Sequence, residues 1–124
     1  MSMAEKPLAF VIEDDAEQQK IFSRAIEMAG FSVQSITNGA DALACLDEEI
    51  PALVILDLHL PKFSGDEILR RIRSQERLAA VPVILATADP LLADTLREES
   101  DLVLLKPISF IQLRDLATRL RSTA

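Results

Sequence analysis

The stretch Ala52-Leu53-Val54-Ile55-Leu56-Asp57 decides the fold: five apolar residues run into one carboxylate, and Leu58-His59-Leu60-Pro61 follows. A short apolar run bounded by turn residues is the pattern of a strand buried on both faces, and it leaves Asp57 where strand meets loop. Three further runs share the form. Leu8-Ala9-Phe10-Val11-Ile12 ends in Glu13-Asp14-Asp15, Val83-Ile84-Leu85-Ala86 in Thr87, and Leu102-Val103-Leu104-Leu105 in Lys106-Pro107. Strands of this kind belong to a parallel sheet covered by helices. Its C-terminal strand ends share one edge, outside which ligands bind. Three acids, a hydroxyl and a lysine are therefore expected to converge there.

Helix-period segments fill the gaps between the runs. Residues 16–29 place Ile21, Phe22, Ala25, Met28 and Ala29 on an inward stripe, and Gly30 stops that helix. Phe31-Ser32-Val33-Gln34-Ser35-Ile36 alternates, as a half-buried strand near a sheet edge does. After Asn38-Gly39 a second helix turns Ala40, Leu43, Ala44 and Leu46 inward and stops before Pro51. Ser64 caps a third, from Gly65 to about Ser74, with Ile68, Leu69 and Ile72 inward. Pro82 opens the fourth strand and Pro90 starts a helix over about 90–99. Ser109 caps the last helix, whose inward stripe is Ile111, Leu113, Leu116 and Leu120. The order β-α, five times over, predicts an α/β fold with helices on both faces of a parallel sheet. One domain is expected over residues 1–124, with its core at about 7–121.

Composition narrows the function classes. Hydrophobic residues make up 49% and charged ones 27%, which fits a folded globular domain rather than disorder. Thirteen basic residues against twenty acidic ones leave a net charge of −7. That balance argues against direct nucleic-acid binding, which rests on cations neutralising phosphates, and favours cations or basic partner surfaces. The single cysteine, Cys45, cannot form an internal disulfide. The N-terminal residues have no signal-peptide core, and no run approaches the roughly 18 apolar residues of a membrane span. A cytoplasmic, non-membrane protein is expected.

The strand-end residues suit one chemistry. Magnesium takes oxygen ligands, commonly one or two carboxylates with waters and phosphate oxygens. Asp14 and Asp57 supply one oxygen each, Glu13 holds a coordinated water, and the backbone carbonyl of His59 completes the set. An ionised Asp57 oxygen can then attack a phosphoryl group without a general base. Phosphoryl transfer needs positioning and neutralised oxygens; Lys106 covers one, and the Thr87 hydroxyl or a nearby amide another. Asp15, by contrast, reads as a helix cap, and the His59 imidazole as neither metal ligand nor general base; His59 and Asp89, two residues past Asp57 and Thr87, are expected to flank the path of the hydrolytic water and tune the lifetime of a phosphorylated state.

These motifs together resemble the receiver domain of two-component response regulators. The resemblance rests on Val11-Ile12-Glu13-Asp14-Asp15, Ile55-Leu56-Asp57-Leu58-His59-Leu60-Pro61, Ala86-Thr87-Ala88 and Leu105-Lys106-Pro107, and runs from about Pro7 to Arg121. It implies a (βα)5, flavodoxin-like doubly wound sheet of order 2-1-3-4-5. It makes Asp57 the phosphoacceptor, Glu13 and Asp14 the acidic metal-binding pair, Thr87 the switch hydroxyl and Lys106 the family lysine, often followed by a cis bond as to Pro107. Gly65 matches the glycine opening the third helix.

The implied function is a phosphorylation-activated signalling switch rather than a conventional enzyme, catalysing only its own phosphorylation and dephosphorylation at Asp57 with Mg2+. The implied partners are a histidine kinase or histidine phosphotransfer protein, an output partner the sequence does not name, and a second copy in a phosphorylation-dependent homodimer. Two departures bear on output. Val103 stands where the family commonly carries an aromatic residue, and Glu98-Glu99-Ser100-Asp101 replaces a common Gly-Ala turn. Signalling is then expected to rest on Thr87 and the segment from Asp89 to about Glu99. Two rival readings are a receiver-like interaction module that works without phosphorylation and an aspartate-nucleophile phosphohydrolase. The second would carry an acid where His59 stands.

Overall fold

A computed structural model of the chain describes residues 6–122; the expected domain ends at 1–5 and 123–124 lie outside them. Each apolar run becomes a strand and each periodic segment a helix. In chain order these are β1 (Leu8–Ile12), α1 (Ala16–Met28), β2 (Ser32–Ile36), α2 (Gly39–Glu48), β3 (Leu53–Asp57), α3 (Gly65–Ser74), β4 (Val83–Thr87), α4 (Pro90–Thr95), β5 (Leu102–Leu105) and α5 (Phe110–Ser122). A 3₁₀ turn, Arg97–Glu99, lies between α4 and β5. All pairings are parallel, in the order β2-β1-β3-β4-β5, so the order implied by the family resemblance holds.

The sheet separates two cores because alternate side chains of a strand point to opposite faces. Phe10, Ile12, Val54, Leu56, Val83 and Leu85 pack on the α2–α3 side with Leu46, Ile68, Leu69 and Ile72. Ala9, Val11, Leu53, Ile55, Ile84 and Ala86 face α1 and α5, meeting Phe22, Ile26, Leu113 and Ala117. Every residue of β3 and β4 is buried, which is why those runs are continuously apolar. The edge strand β2 is mostly half-exposed, as its alternation predicts.

The helix stripes need four corrections. In α1 the stripe is Gln19, Phe22, Ala25 and Ile26, continued by Ala29, whereas Ile21 (46% exposed) and Met28 lie outside it. Ile21 and Met28 are seven residues apart and share a flank, so a helix that turns Phe22 and Ile26 to the sheet cannot also bury them. In α2 the buried residues are Gly39, Ala42 and Leu46; Ala40 and Leu43 are half-buried, and Ala44 is exposed. The helix expected over 90–99 is a six-residue α4 plus the 3₁₀ turn. In α5, Ile111 is 59% exposed and Ala117 takes the inward place beside Leu113, with Leu116 and Leu120 half-buried.

Candidate functional site

The strand ends of β1, β3, β4 and β5 bring Glu13, Asp14, Asp57, Thr87 and Lys106 to one edge. Carboxylate oxygens of Glu13, Asp14 and Asp57 all lie within 4.8 Å of one another. Glu13 and Asp57 are buried, at 1% and 2% exposure, while Asp14 faces solvent. The Lys106 ammonium, arriving from the far side of the sheet, sits 3.1 Å from Glu13 Oε1 and 3.3 Å from Asp57 Oδ1.

Local backbone contacts hold this arrangement. The Asp15 amide donates to Glu13 Oε2 at 3.2 Å, and the Asp15 carboxylate caps α1 by accepting from Gln18 N, the role expected of it. The His59 amide donates to Asp57 Oδ1 at 3.3 Å. Lys106 N donates to Thr87 O at 2.8 Å, tying the end of β5 to that of β4, and the Lys106–Pro107 bond is cis. Gly65 is a packing requirement: a Cβ there would come within 2.5 Å of the Asp57 carbonyl. Its backbone N–H donates to Leu58 O at 3.2 Å, which seats the start of α3 against the loop after Asp57.

One ammonium cannot neutralise this set. The Glu13 carboxyl is raised from its ordinary 4.5 to about 7. Burial is the largest cause, the hydrogen bond and charge of Asp57 add to it, and the Asp15 amide and Lys106 oppose it. For Lys106, burial pulls the ammonium down, but its bond to Glu13 and the charges of Asp57 and Glu13 outweigh that and raise it. The two directions agree physically: buried negative charge is in excess, so Lys106 keeps its proton and Glu13 tends to acquire one. A hard divalent cation relieves the same excess, and the donor set, all carboxylate oxygen, fits one.

Thr87 is fully buried. Its Oγ1 accepts from the Asp89 amide at 3.0 Å and lies 3.5 Å from His59 Nε2. The imidazole, expected only to flank the path of the hydrolytic water, thus reaches from the loop after β3 to the end of β4. Two other side chains carry no signal in the sequence, one beside the site and one at the opposite end of the sheet. Gln19 has the composition of a surface residue but is buried against the backbone beside Glu13. Arg73, on α3, bonds Ala79 O, Val81 O, Glu99 O and the Asp101 carboxylate. Asp101 Oδ2 in turn accepts from Val83 N at 2.7 Å. This cross-link builds the turn before β5 where the family commonly has Gly-Ala.

Exposed apolar surface adjoins the site. Ile21 lines a groove with Gln18, Ala88, Lys106, Pro107 and Ile108, which accounts for its position on the outer flank of α1. No helix of the described residues is long and apolar enough to cross a membrane.

Comparison with known proteins places these features in a family. A model of the response regulator receiver domain matches residues 9–118. The probable methanogenesis regulatory protein FilR2 of Methanothrix harundinacea is 35% identical over 123 residues, covering 90% of this chain and 79% of that one. The transcriptional regulatory protein GltR of Pseudomonas aeruginosa is 41% identical over 78 residues, 63% of this chain. That match covers 32% of GltR, so the chain resembles about a third of that relative's length. Among solved structures, the receiver domain of a signal transduction histidine kinase from Syntrophus aciditrophicus superposes with a TM-score of 0.84 at 27% identity, covering 95% of this chain and 92% of that one.

Proposed function

This chain belongs to the response regulator receiver domain family, and from that premise we propose that it is a phosphorylation-activated switch whose acceptor is Asp57. The observation that carries the reading is the buried juxtaposition of Asp57, Glu13 and Lys106 beside solvent-facing Asp14. The phosphodonor is a phosphohistidine on a kinase or phosphotransfer protein, approaching by the groove that runs past Ile21 and Ile108 to Lys106.

In the transfer, an ionised Asp57 oxygen forms the new O–P bond as the donor's N–P bond breaks, and the leaving imidazole takes a proton from solvent. Lys106, already 3.3 Å from Asp57, follows the negative charge onto the phosphoryl oxygens. The His59 amide keeps the carboxylate oriented. Glu13, Asp14, Asp57 and the His59 carbonyl would hold Mg2+, which supplies charge neutralisation at the phosphoryl group. Thr87 reads the product: its hydroxyl, which accepts from the Asp89 amide, turns to donate to a phosphoryl oxygen, and the start of α4 moves with it. The protein catalyses only its own phosphorylation and hydrolysis; its output partner, a protein or a second copy, meets the face of α4, β5 and α5.

Intact-mass spectrometry tests this directly. Acetyl phosphate or a phosphohistidine donor with Mg2+ should add one base-labile phosphoryl group to the parent and none to Asp57→Asn. Equal addition to both would move the acceptor elsewhere.

A further inference from the structure

Gln19 is a buried amide that the transfer chemistry does not use. It projects from α1 under the loop carrying Glu13 and Asp14. Its Nε2 lies 3.0 Å from Val11 O, 3.1 Å from Glu13 O and 3.1 Å from Ile36 O. Its Oε1 accepts from Ser23 Oγ at 2.7 Å. All three inner partners are carbonyls, so only the NH2 end can face them, and its two hydrogens serve three acceptors. The amide therefore joins Val11, one residue before the end of β1, and Ile36, the last residue of β2, to the first residue of the acidic loop. The Glu13 amide completes the joint by donating to Ile36 O at 2.9 Å.

We propose that Gln19 is a positioning residue for the cation site: its amide fixes the backbone from which the Glu13 and Asp14 carboxylates project, and thereby sets their affinity for magnesium. Glu13 has its side chain held by Lys106 and the Asp15 amide, and its carbonyl held by Gln19. Losing the inner bond frees the loop to spread, which the repulsion among three carboxylates favours. Partners one shell out from a metal typically tune affinity by about 10–100-fold.

The inference rests on the reading of Glu13, Asp14 and Asp57 as magnesium ligands, and the test separates the two. Magnesium titrations followed by backbone-amide NMR would compare the parent with Gln19→Met, which keeps the volume but donates nothing, and with Ser23→Ala, which removes only the outer bond. The expected result is a roughly tenfold weaker dissociation constant for Gln19→Met, with Ser23→Ala within about twofold of the parent. Hydrogen exchange without metal should quicken at Glu13 and Asp15 in Gln19→Met and stay unchanged at Val54 and Ile84. Unchanged affinity and unchanged exchange at Glu13 and Asp15 would overturn the role of Gln19. A parent that shows no magnesium response would instead remove the cation site, and the exchange rates alone would then decide whether Gln19 holds the loop.

Discussion

Helices α3 and α4 contribute to the same core on one face of the sheet and differ in nearly every respect that sets local stability. α3 has ten residues, begins at Ser64, whose N and Oγ both donate to Glu67, and buries Ile68, Leu69 and Ile72 completely. α4 has six residues, buries Ala93, and leaves Leu91 81% exposed. It is fastened mainly at its ends. Asp89 caps its start and bonds Thr87 Oγ1 through its amide, while Arg73 and Asp101 hold the turn that follows it. Packing of the first kind keeps Asp57 in place. A segment pinned at two points with little core between them can shift when one pin is moved, and the pin at Thr87 adjoins the phosphorylation site. Elements that move in switching are drawn from the less stable parts of a fold.

Core truncation should expose the contrast most strongly. Ile72→Ala is expected to cost about 4 kcal/mol of unfolding free energy, within the usual range for a fully buried aliphatic, whereas Leu91→Ala should stay within about 0.5 kcal/mol. Urea unfolding of the two variants measures both; equal losses would erase the distinction.

The site end of the stable half should carry a penalty of its own, and pH reveals it. Glu13 holds its proton up to about 7 in the folded protein, against an ordinary 4.5. The folded state therefore binds more protons than the unfolded one between those values, and stability falls as pH rises through that window. The loss is of order 3 kcal/mol when complete. Magnesium should consequently raise the melting temperature more at pH 8 than at pH 5, and Glu13→Gln should melt above the parent at pH 8 without metal. A magnesium effect that is larger at pH 5 would contradict the sign.

The contrast between the two helices also explains what could be read from residues alone. Continuous apolar runs ending in Asp57, Glu13, Thr87 and Lys106 announce buried strands and their shared edge, because pleat and burial leave few other choices. Ile68, Leu69 and Ile72 fall on an unambiguous stripe. That Ile21, Met28 and Ile111 fall outside the core is not legible, because hydrophobicity does not say whether an apolar side chain meets the sheet or lines an outer surface. Gln19, Arg73 and the contact of the His59 ring with Thr87 are illegible for a different reason. Their roles depend on backbone carbonyls and a hydroxyl brought close by folding, partners that leave no spacing signature. The end of α4 is not legible because helical spacing continues through Leu92 and Leu96, although only Pro90–Thr95 is α-helical.

A smaller effect should follow from loosening the far pin. Arg73→Ala removes four hydrogen bonds and is expected to cost about 2 kcal/mol, less than a core truncation, because the arginine is partly exposed. Exchange should quicken at residues 97–101 while Leu56 and Asp57 keep their protection. Arg73→Lys should not restore it, since an ammonium lacks the planar fork that reaches several carbonyls at once. Slowed or unchanged exchange at 97–101 would show that the turn is held by something else.

Val103, half-buried against the α3 side of the sheet, is too small and too stiff at χ1 to gate the space beside Thr87 as an aromatic would. Val103→Tyr should therefore leave the response nearly unchanged, and coupling should depend on Thr87. The most direct measurement is an amide chemical-shift map with magnesium and a beryllofluoride mimic, on the parent and on Thr87→Ala. The account predicts large shifts over residues 88–103 in the parent, small ones within α3, and loss of the 88–103 shifts in Thr87→Ala with those beside Asp57 retained. Shifts over 88–103 as strong in Thr87→Ala as in the parent would contradict it.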